Sequence, residues 1–178
     1  VDEDGQKRIE QAIGEAKALV EVRHPNVVEV YAIGSTKGAP YVVMELLDGG
    51  SLKDLIADDK FIPEGESLDY AIDIAEALKR PSQRALLHLD VKPGNILFNS
   101  KGVAKLLDFG YASVNTQTKQ SEILGTPYYV PPELVRQKPA DHRCDIYSLG
   151  ATLFYVLCGQ APFEGEKIRE ICLKRLNN

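Results

Sequence analysis

The sequence predicts an α+β fold, and three observations carry that reading. Apolar residues recur at helical spacing in three long stretches. Short runs of β-branched and aromatic residues stand in pairs between them. One loop, His88-Leu89-Asp90-Val91-Lys92-Pro93-Gly94-Asn95, gathers an acid, a cation and an amide, and Pro93 and Gly94 bar it from regular helix. The bulk properties agree. The 178 residues have room for one domain with a core, and 44% hydrophobic against 26% charged residues argues against a disordered chain. A net charge of −5 and a pI near 5.3 give no basic footprint for nucleic acid. Cys144, Cys158 and Cys172 are odd in number and form no CxxC pair. They read as buried or incidental thiols of a reducing cytoplasm, not as disulfides or metal ligands. No stretch has the apolar length of a membrane helix, and no signal peptide opens the chain.

Residues 6–22 read as an amphipathic helix through Ile9, Ile13, Ala16 and Val20, with Glu15 and Leu19 on another face. His24-Pro25-Asn26 ends it. Val27 to Ile33 and Tyr41 to Met44 read as strands joined by a turn from Gly34 to Pro40. Met44-Glu45-Leu46-Leu47-Asp48-Gly49-Gly50-Ser51-Leu52 passes from an edge strand through a Gly-rich linker into a helix starting near Ser51. Pro63 precedes a second helix over 64–80, with Leu68, Ile72, Ala75 and Leu78 as its apolar stripe and Arg80-Pro81 as its distorted end. Ile96 to Phe98 and Val103 to Leu107 are short strands around the turn Asn99-Ser100-Lys101-Gly102. That hairpin returns Asp108 to the side of Asn95. A polar loop with Ser113, Thr116, Thr118 and Ser121 then tightens into Gly125-Thr126-Pro127-Tyr128-Tyr129 and Pro131-Pro132-Glu133. Asp141 to Cys158 is the third long helix, a core helix by its apolar Ile146, Leu149, Leu153, Phe154 and Leu157. A last short helix runs from Gly165 to Leu176.

The chemistry lies in the loop from His88 to Asn95 and in the hairpin after it. Asp90 can accept a proton, Lys92 can face a phosphate, and Asn95 and Asp108 offer oxygens to a hard cation. These are the parts of phosphoryl transfer. The H-x-D-x-K-P-x-N pattern, succeeded by Asp108-Phe109-Gly110, resembles the catalytic loop and D-F-G motif of the eukaryotic-type protein kinases. A polar turn between two strands would not account for two motifs in that order. The resemblance implies that Asp90 orients the substrate hydroxyl and takes its proton, that Lys92 steadies the phosphoryl group, and that Asn95 and Asp108 hold magnesium. It makes residues 6–22 the C-helix and Glu15 the glutamate that pairs with a strand lysine; a solvated surface glutamate is the plainer alternative. It makes Met44 to Leu52 the hinge, with backbone groups of Glu45 and Leu47 at the adenine edge, Met44 as gatekeeper and Ser51 near the ribose. Leu97 would be the floor under the adenine.

Gly-Thr-Pro-x-Tyr, which places Thr126 in the catalytic set, resembles the Ser/Thr kinases, as does a lysine two residues after Asp90. Pro131-Pro132-Glu133 departs from the family's A-P-E by one residue. Asp145 would hold the catalytic loop from below. Tyr147 stands where many eukaryotic members carry Trp, and with Gly159-Gln160-Ala161-Pro162-Phe163 it resembles bacterial members. Leu89 replaces the arginine of H-R-D, which implies that a phosphate on the loop is not the main switch.

The resemblance thus implies a protein-kinase-like two-lobe fold: a partial small lobe over 1–47 and a mostly helical large lobe over 48–178. It implies ATP and Mg2+ as cofactors and protein Ser/Thr hydroxyls as substrate, in the cytoplasm, with no nucleic acid and no membrane segment. Nothing before Glu15 supplies a Gly-rich phosphate loop or a strand lysine, since Lys7 and Lys17 fall on the helix. The last large-lobe helices, with the arginine that would pair with Glu133, are also missing. The expected domain is therefore truncated, and its activity as it stands is expected to be absent or very weak. A Ser/Thr kinase core is the leading function. A pseudokinase or scaffold that binds nucleotide or partners without catalysis is the alternative, and a partly folded fragment is a third.

Overall fold

A computed structural model describes residues 20, 22–36, 39–57, 61–83, 86–107 and 127–177. Glu15 with most of the helix expected over 6–22, and everything from Asp108 through Thr126, lie outside them. Val22 is already non-helical. The turn at His24-Pro25-Asn26 is closed by the Val27 N–H on His24 O at 3.1 Å. Asn26 fastens this turn to a later strand. It is 7% exposed, its Nδ2 donates to Ala104 O at 2.9 Å, and its carbonyl accepts from the Leu106 N–H at 2.8 Å.

The first strand starts later than expected. Val27 and Val28 are drawn onto Leu106, with the Val28 N–H on Leu106 O at 3.0 Å. β1 (Val30–Thr36) then pairs antiparallel with β2 (Ala39–Met44), placing Gly34 opposite Tyr41 and Ser35 opposite Pro40. The expected turn from Gly34 to Pro40 is therefore mostly paired strand. The Tyr41 side chain lies across Gly34, its ring end 2.4 Å from where a Cβ would stand. The short helix α1 (Leu52–Leu55) is capped by Ser51, whose hydroxyl accepts from the Asp54 N–H while Asp54 Oδ2 accepts from the Ser51 N–H.

α2 (Glu64–Gln83) overruns its expected end. Pro81 sits in its last turn, where it lacks only the one N–H that would have bonded back, and the chain leaves through the Leu86 N–H on Pro81 O at 3.0 Å. The helical period expected of α2 holds, but its phase differs. Leu78 is buried as expected, but Leu68 and Ile72 are 43% and 61% exposed, and Ser67, Ile74 and Ala77 are buried instead. Ser67 can face inward because its hydroxyl donates to Pro63 O at 3.1 Å. β3 (Ile96–Phe98) and β4 (Ala104–Leu106) form the expected hairpin, with Leu97 opposite Lys105. Its turn is held by Asn99 Oδ1, which accepts from the N–H groups of Lys101 and Val103.

α3 (Pro132–Val135), α4 (His142–Cys158) and α5 (Ile168–Asn177) complete the described elements. Asp141 caps α4, and Gly159 ends it at φ 72°. The apolar surface expected of α4 does not all face the core. Ile146 and Phe154 are 53% and 42% exposed, and the buried face carries Cys144, Asp145, Ser148, Ala151, Thr152 and Val156. The main core packs the β3–β4 hairpin on α2, with Val91 and Val156 added from the loop and from α4. The ring of Tyr70 meets Phe98 edge-on at 4.9 Å. A smaller cluster joins Leu87, Ala140 and Cys144, with Leu89 and Leu134 packed on it.

Candidate active site

The loop from His88 to Asn95 has no regular structure until Pro93–Asn95, a single 3-10 turn. Side chains hold it instead. The buried Asp145 carboxylate accepts from two consecutive N–H groups, His88 at 2.9 Å and Leu89 at 2.7 Å. Leu89 adopts φ 61°, a left-handed conformation that costs a leucine roughly 1–2 kcal/mol. The clamp and the packing of Leu89 on the smaller cluster hold it there. Burial raises the pKa of the Asp145 carboxyl, and the two N–H donors oppose that rise.

His88 is fully buried. Its Nδ1 accepts from the Asp90 N–H at 3.2 Å, which leaves Nε2–H to donate to Leu107 O at 3.0 Å. That pattern belongs to a neutral ring, and burial accordingly lowers its pKa to about 4. His88 thus ties the loop to the end of the β3–β4 hairpin.

Asp90, Lys92 and Asn95 come together. Lys92 Nζ lies 2.6 Å from Asp90 Oδ2, and Asn95 Nδ2 donates to the same oxygen and to Asp90 O, both at 2.9 Å. Among the described residues nothing bonds Asp90 Oδ1. The two bonds of Asn95 identify which end of its amide is nitrogen, so its oxygen is the end left to face a cation. The carbonyl of Asn95 accepts from the Leu107 N–H at 2.8 Å. Leu107 is the residue before Asp108, which with Thr126 and Glu15 lies outside the described residues.

The hinge residues sit at the edge of the same hairpin. The Gly49 N–H donates to Phe98 O and the Phe98 N–H to Gly50 O, both at 2.9 Å. This approach demands glycine, since a Cβ on Gly49 would meet Phe98 O and Asn99 O at 2.9 Å. Ser51 bridges to Leu97, and its hydroxyl is engaged in capping α1. Glu45 is anchored through both main chain and side chain. Its N–H donates to Glu29 O at 2.9 Å, and its Oε1 accepts from the Glu29 N–H at 2.8 Å and from Lys105 Nζ at 2.7 Å. Lys105 stands opposite Leu97 in the hairpin, so the two share one face, toward the hinge. Met44 is partly exposed at the end of β2, and Leu47 lies just beyond it in the linker.

Sequence reasoning missed Lys105, Ser148 and Thr152. Lys105 was findable by strand alternation, because it shares a face with Leu97. Ser148 and Thr152 come three and seven residues after Asp145 and so lie on its face of α4. Ser148 Oγ donates to Tyr129 O at 2.9 Å, and Thr152 Oγ1 approaches Val91 O at 3.5 Å.

The chain matches the protein kinase domain family over residues 1–178 and belongs to it. The α+β, protein-kinase-like fold read from the sequence is thereby established. Members of this family use ATP and magnesium. The chain is similar to the serine/threonine-protein kinase PrkC of Bacillus subtilis, with 37% identity over 165 residues, 91% of this chain and 26% of that protein. It is similar to the serine/threonine-protein kinase PknB of Mycobacterium leprae, with 34% identity over 160 residues, 85% of this chain and 26% of that protein. A probable serine/threonine-protein kinase PknB of Lactococcus lactis is 34% identical over 163 residues, 90% of this chain and 26% of that protein. The chain therefore spans about a quarter of the length of the curated relatives it matches.

Proposed function

We propose that the protein containing this chain is a cytoplasmic Ser/Thr protein kinase that transfers the γ-phosphoryl group of ATP to protein Ser or Thr hydroxyls. The observation that carries this is the Asp90 carboxylate, held at Oδ2 by Lys92 and Asn95 above a backbone clamped by Asp145. A carboxylate fixed in that way presents Oδ1 to an incoming hydroxyl and takes its proton as the phosphoryl group leaves ATP. Lys92 supplies a cation beside the transferred group. Thr126 completes the catalytic set.

The residues present fit magnesium, because the amide of Asn95 leaves its oxygen toward the site; Asn95 and Asp108 would hold the ion. Bound magnesium neutralises charge on the phosphates. The adenine would meet backbone groups of Glu45 and Leu47, with Met44 behind it, Leu97 beneath it and Ser51 near the ribose. Glu15 would orient a lysine toward the phosphates. The Glu45 N–H is engaged with Glu29, so the carbonyl is the group of Glu45 that suits the base. Phosphate transfer from labelled ATP to a generic Ser/Thr peptide, with magnesium, by the whole protein that contains this chain tests the proposal. Asp90→Asn should lower the rate on the order of 100- to 10,000-fold. Transfer that survives this substitution, or none from the unsubstituted protein, sinks it.

A further inference from the structure

The stretch just after Thr126 is held by side chains from two helices. Arg175 Nη2, on α5, donates to Pro127 O at 2.7 Å and to Tyr128 O at 3.0 Å. Ser148 Oγ, on α4, donates to the next carbonyl, Tyr129 O, at 2.9 Å. Three consecutive carbonyls are thus fixed from below. Ser148 stands three residues after Asp145, about 4.5 Å along the helix, and Asp145 clamps the backbone at His88 and Leu89. The Asp90 loop and residues 127–129 therefore hang side by side from one face of α4. Residues 127–129 thus form part of the surface beside the Asp90 loop, open to a polypeptide that offers its hydroxyl to Asp90.

Arg175 is a buried charge. It is 4% exposed, and its guanidinium lies over two aromatic rings, 5.6 Å from the ring centre of Phe163 and 6.0 Å from that of Tyr147. Its Nε and Nη1 are buried and find no hydrogen-bond partner among the described residues. A methionine would fill such a slot without burying a charge, but it would leave Pro127 O and Tyr128 O without this donor. What the guanidinium adds is one nitrogen, Nη2, whose two N–H groups reach two adjacent carbonyls.

We propose that Arg175 is a positioning residue for the protein substrate. It fixes the main chain at Pro127 and Tyr128, and through them the surface that reads the residues flanking the target Ser or Thr. The inference rests on the kinase reading above and adds to it a determinant of substrate choice.

The test compares Arg175→Met and Arg175→Lys in the protein that contains this chain, after their melting curves have been recorded. Each variant phosphorylates a Ser-centred peptide library degenerate at the flanking positions, and each hydrolyses ATP without peptide. Arg175→Met should raise the peptide KM by about tenfold, the worth of a hydrogen bond from a charged donor, and flatten the flanking preference. Arg175→Lys keeps the charge but places its nitrogen on a shorter stem, away from the position of Nη2, and should fall between. The KM for ATP and the peptide-free hydrolysis should stay at their unsubstituted values. An unchanged peptide preference in either folded variant overturns the proposal, and so does an equal loss in peptide-free hydrolysis. Arg175→Lys decides alone if Arg175→Met does not fold. An unsubstituted protein that transfers no more phosphate than Asp90→Asn would instead overturn the kinase reading, so the two failures are separable.

Discussion

Leu89 shows how single residues hold this site. A leucine at φ 61° is strained, and it stays there because Asp145 accepts from its N–H and from that of His88. Asp145→Ala removes the carboxylate that accepts from both N–H groups. We expect it to cost about 3 kcal/mol of stability, measured by urea unfolding. Asp145→Asn keeps one acceptor oxygen and should cost roughly half as much; an Asn variant as stable as the parent would show that the clamp matters little. His88 gives the site a pH dependence of known sign. Burial lowers its folded pKa to about 4, against 6.5 when unfolded, so between those values the unfolded chain binds the extra proton. The stability that the neutral ring contributes is complete above about pH 6.5 and is lost as pH falls toward about 4, on the order of 3 kcal/mol in all. His88→Gln cannot titrate, so its urea midpoint should fall less between pH 7 and 4.5. Parallel acid limbs for the two proteins would refute this.

Elements whose form depends on local chemistry were legible in the sequence. The β3–β4 hairpin arises from the Asn99 to Gly102 turn, and α4 starts and stops at a capping aspartate and a glycine. The facing of helices was less legible. Leu68 and Ile72 look like a core stripe, but α2 turns Ser67, Ile74, Ala77 and Leu78 inward, because what a helix buries is set by its partner and not by its own period. Pro81 misled for a related reason: in a last turn a proline forfeits one bond and need not stop the helix. The hinge gives a test at this scale. Gly49→Ala would place a methyl 2.9 Å from Phe98 Cβ and from two carbonyl oxygens. Pushing the hinge off β3 in this way should cost about 2 kcal/mol and weaken nucleotide binding, seen by urea unfolding and by titration with ATP. Gly50→Ala meets strain from φ 77° but ordinary contacts, and should cost nearer 1 kcal/mol. Equal effects at the two positions would remove close approach as the cause.

Across the molecule, one helix face organises the loops. α4 turns Asp145, Ser148 and Thr152 inward beside Ala151 and Val156 and exposes Ile146 and Phe154, so the apolar surface expected of it faces the core only in part. The physical reason is that the Asp90 loop and residues 127–129 lack strand or helix partners for many of their backbone groups, and a buried helix face must supply them. Of the site itself, Asp90, Lys92 and Asn95 were legible because they lie in one short loop. The residues that hold that loop were mostly hidden, being distant in sequence and ordinary in type. This arrangement bears on control. Leu89 packs with Leu134 on the Leu87–Ala140–Cys144 cluster, so apolar contact and the Asp145 clamp fix the loop where an arginine could have gathered a phosphate. The Asp90 loop then has no charge at position 89 through which phosphorylation could order it. Alanine at Ser113, Thr116, Thr118 and Ser121 together should leave peptide phosphorylation within about threefold of the unsubstituted protein, and phosphatase treatment should do the same. A fall comparable to that of Asp90→Asn would mean that a phosphate on this segment reaches the catalytic loop through some cation other than one at position 89.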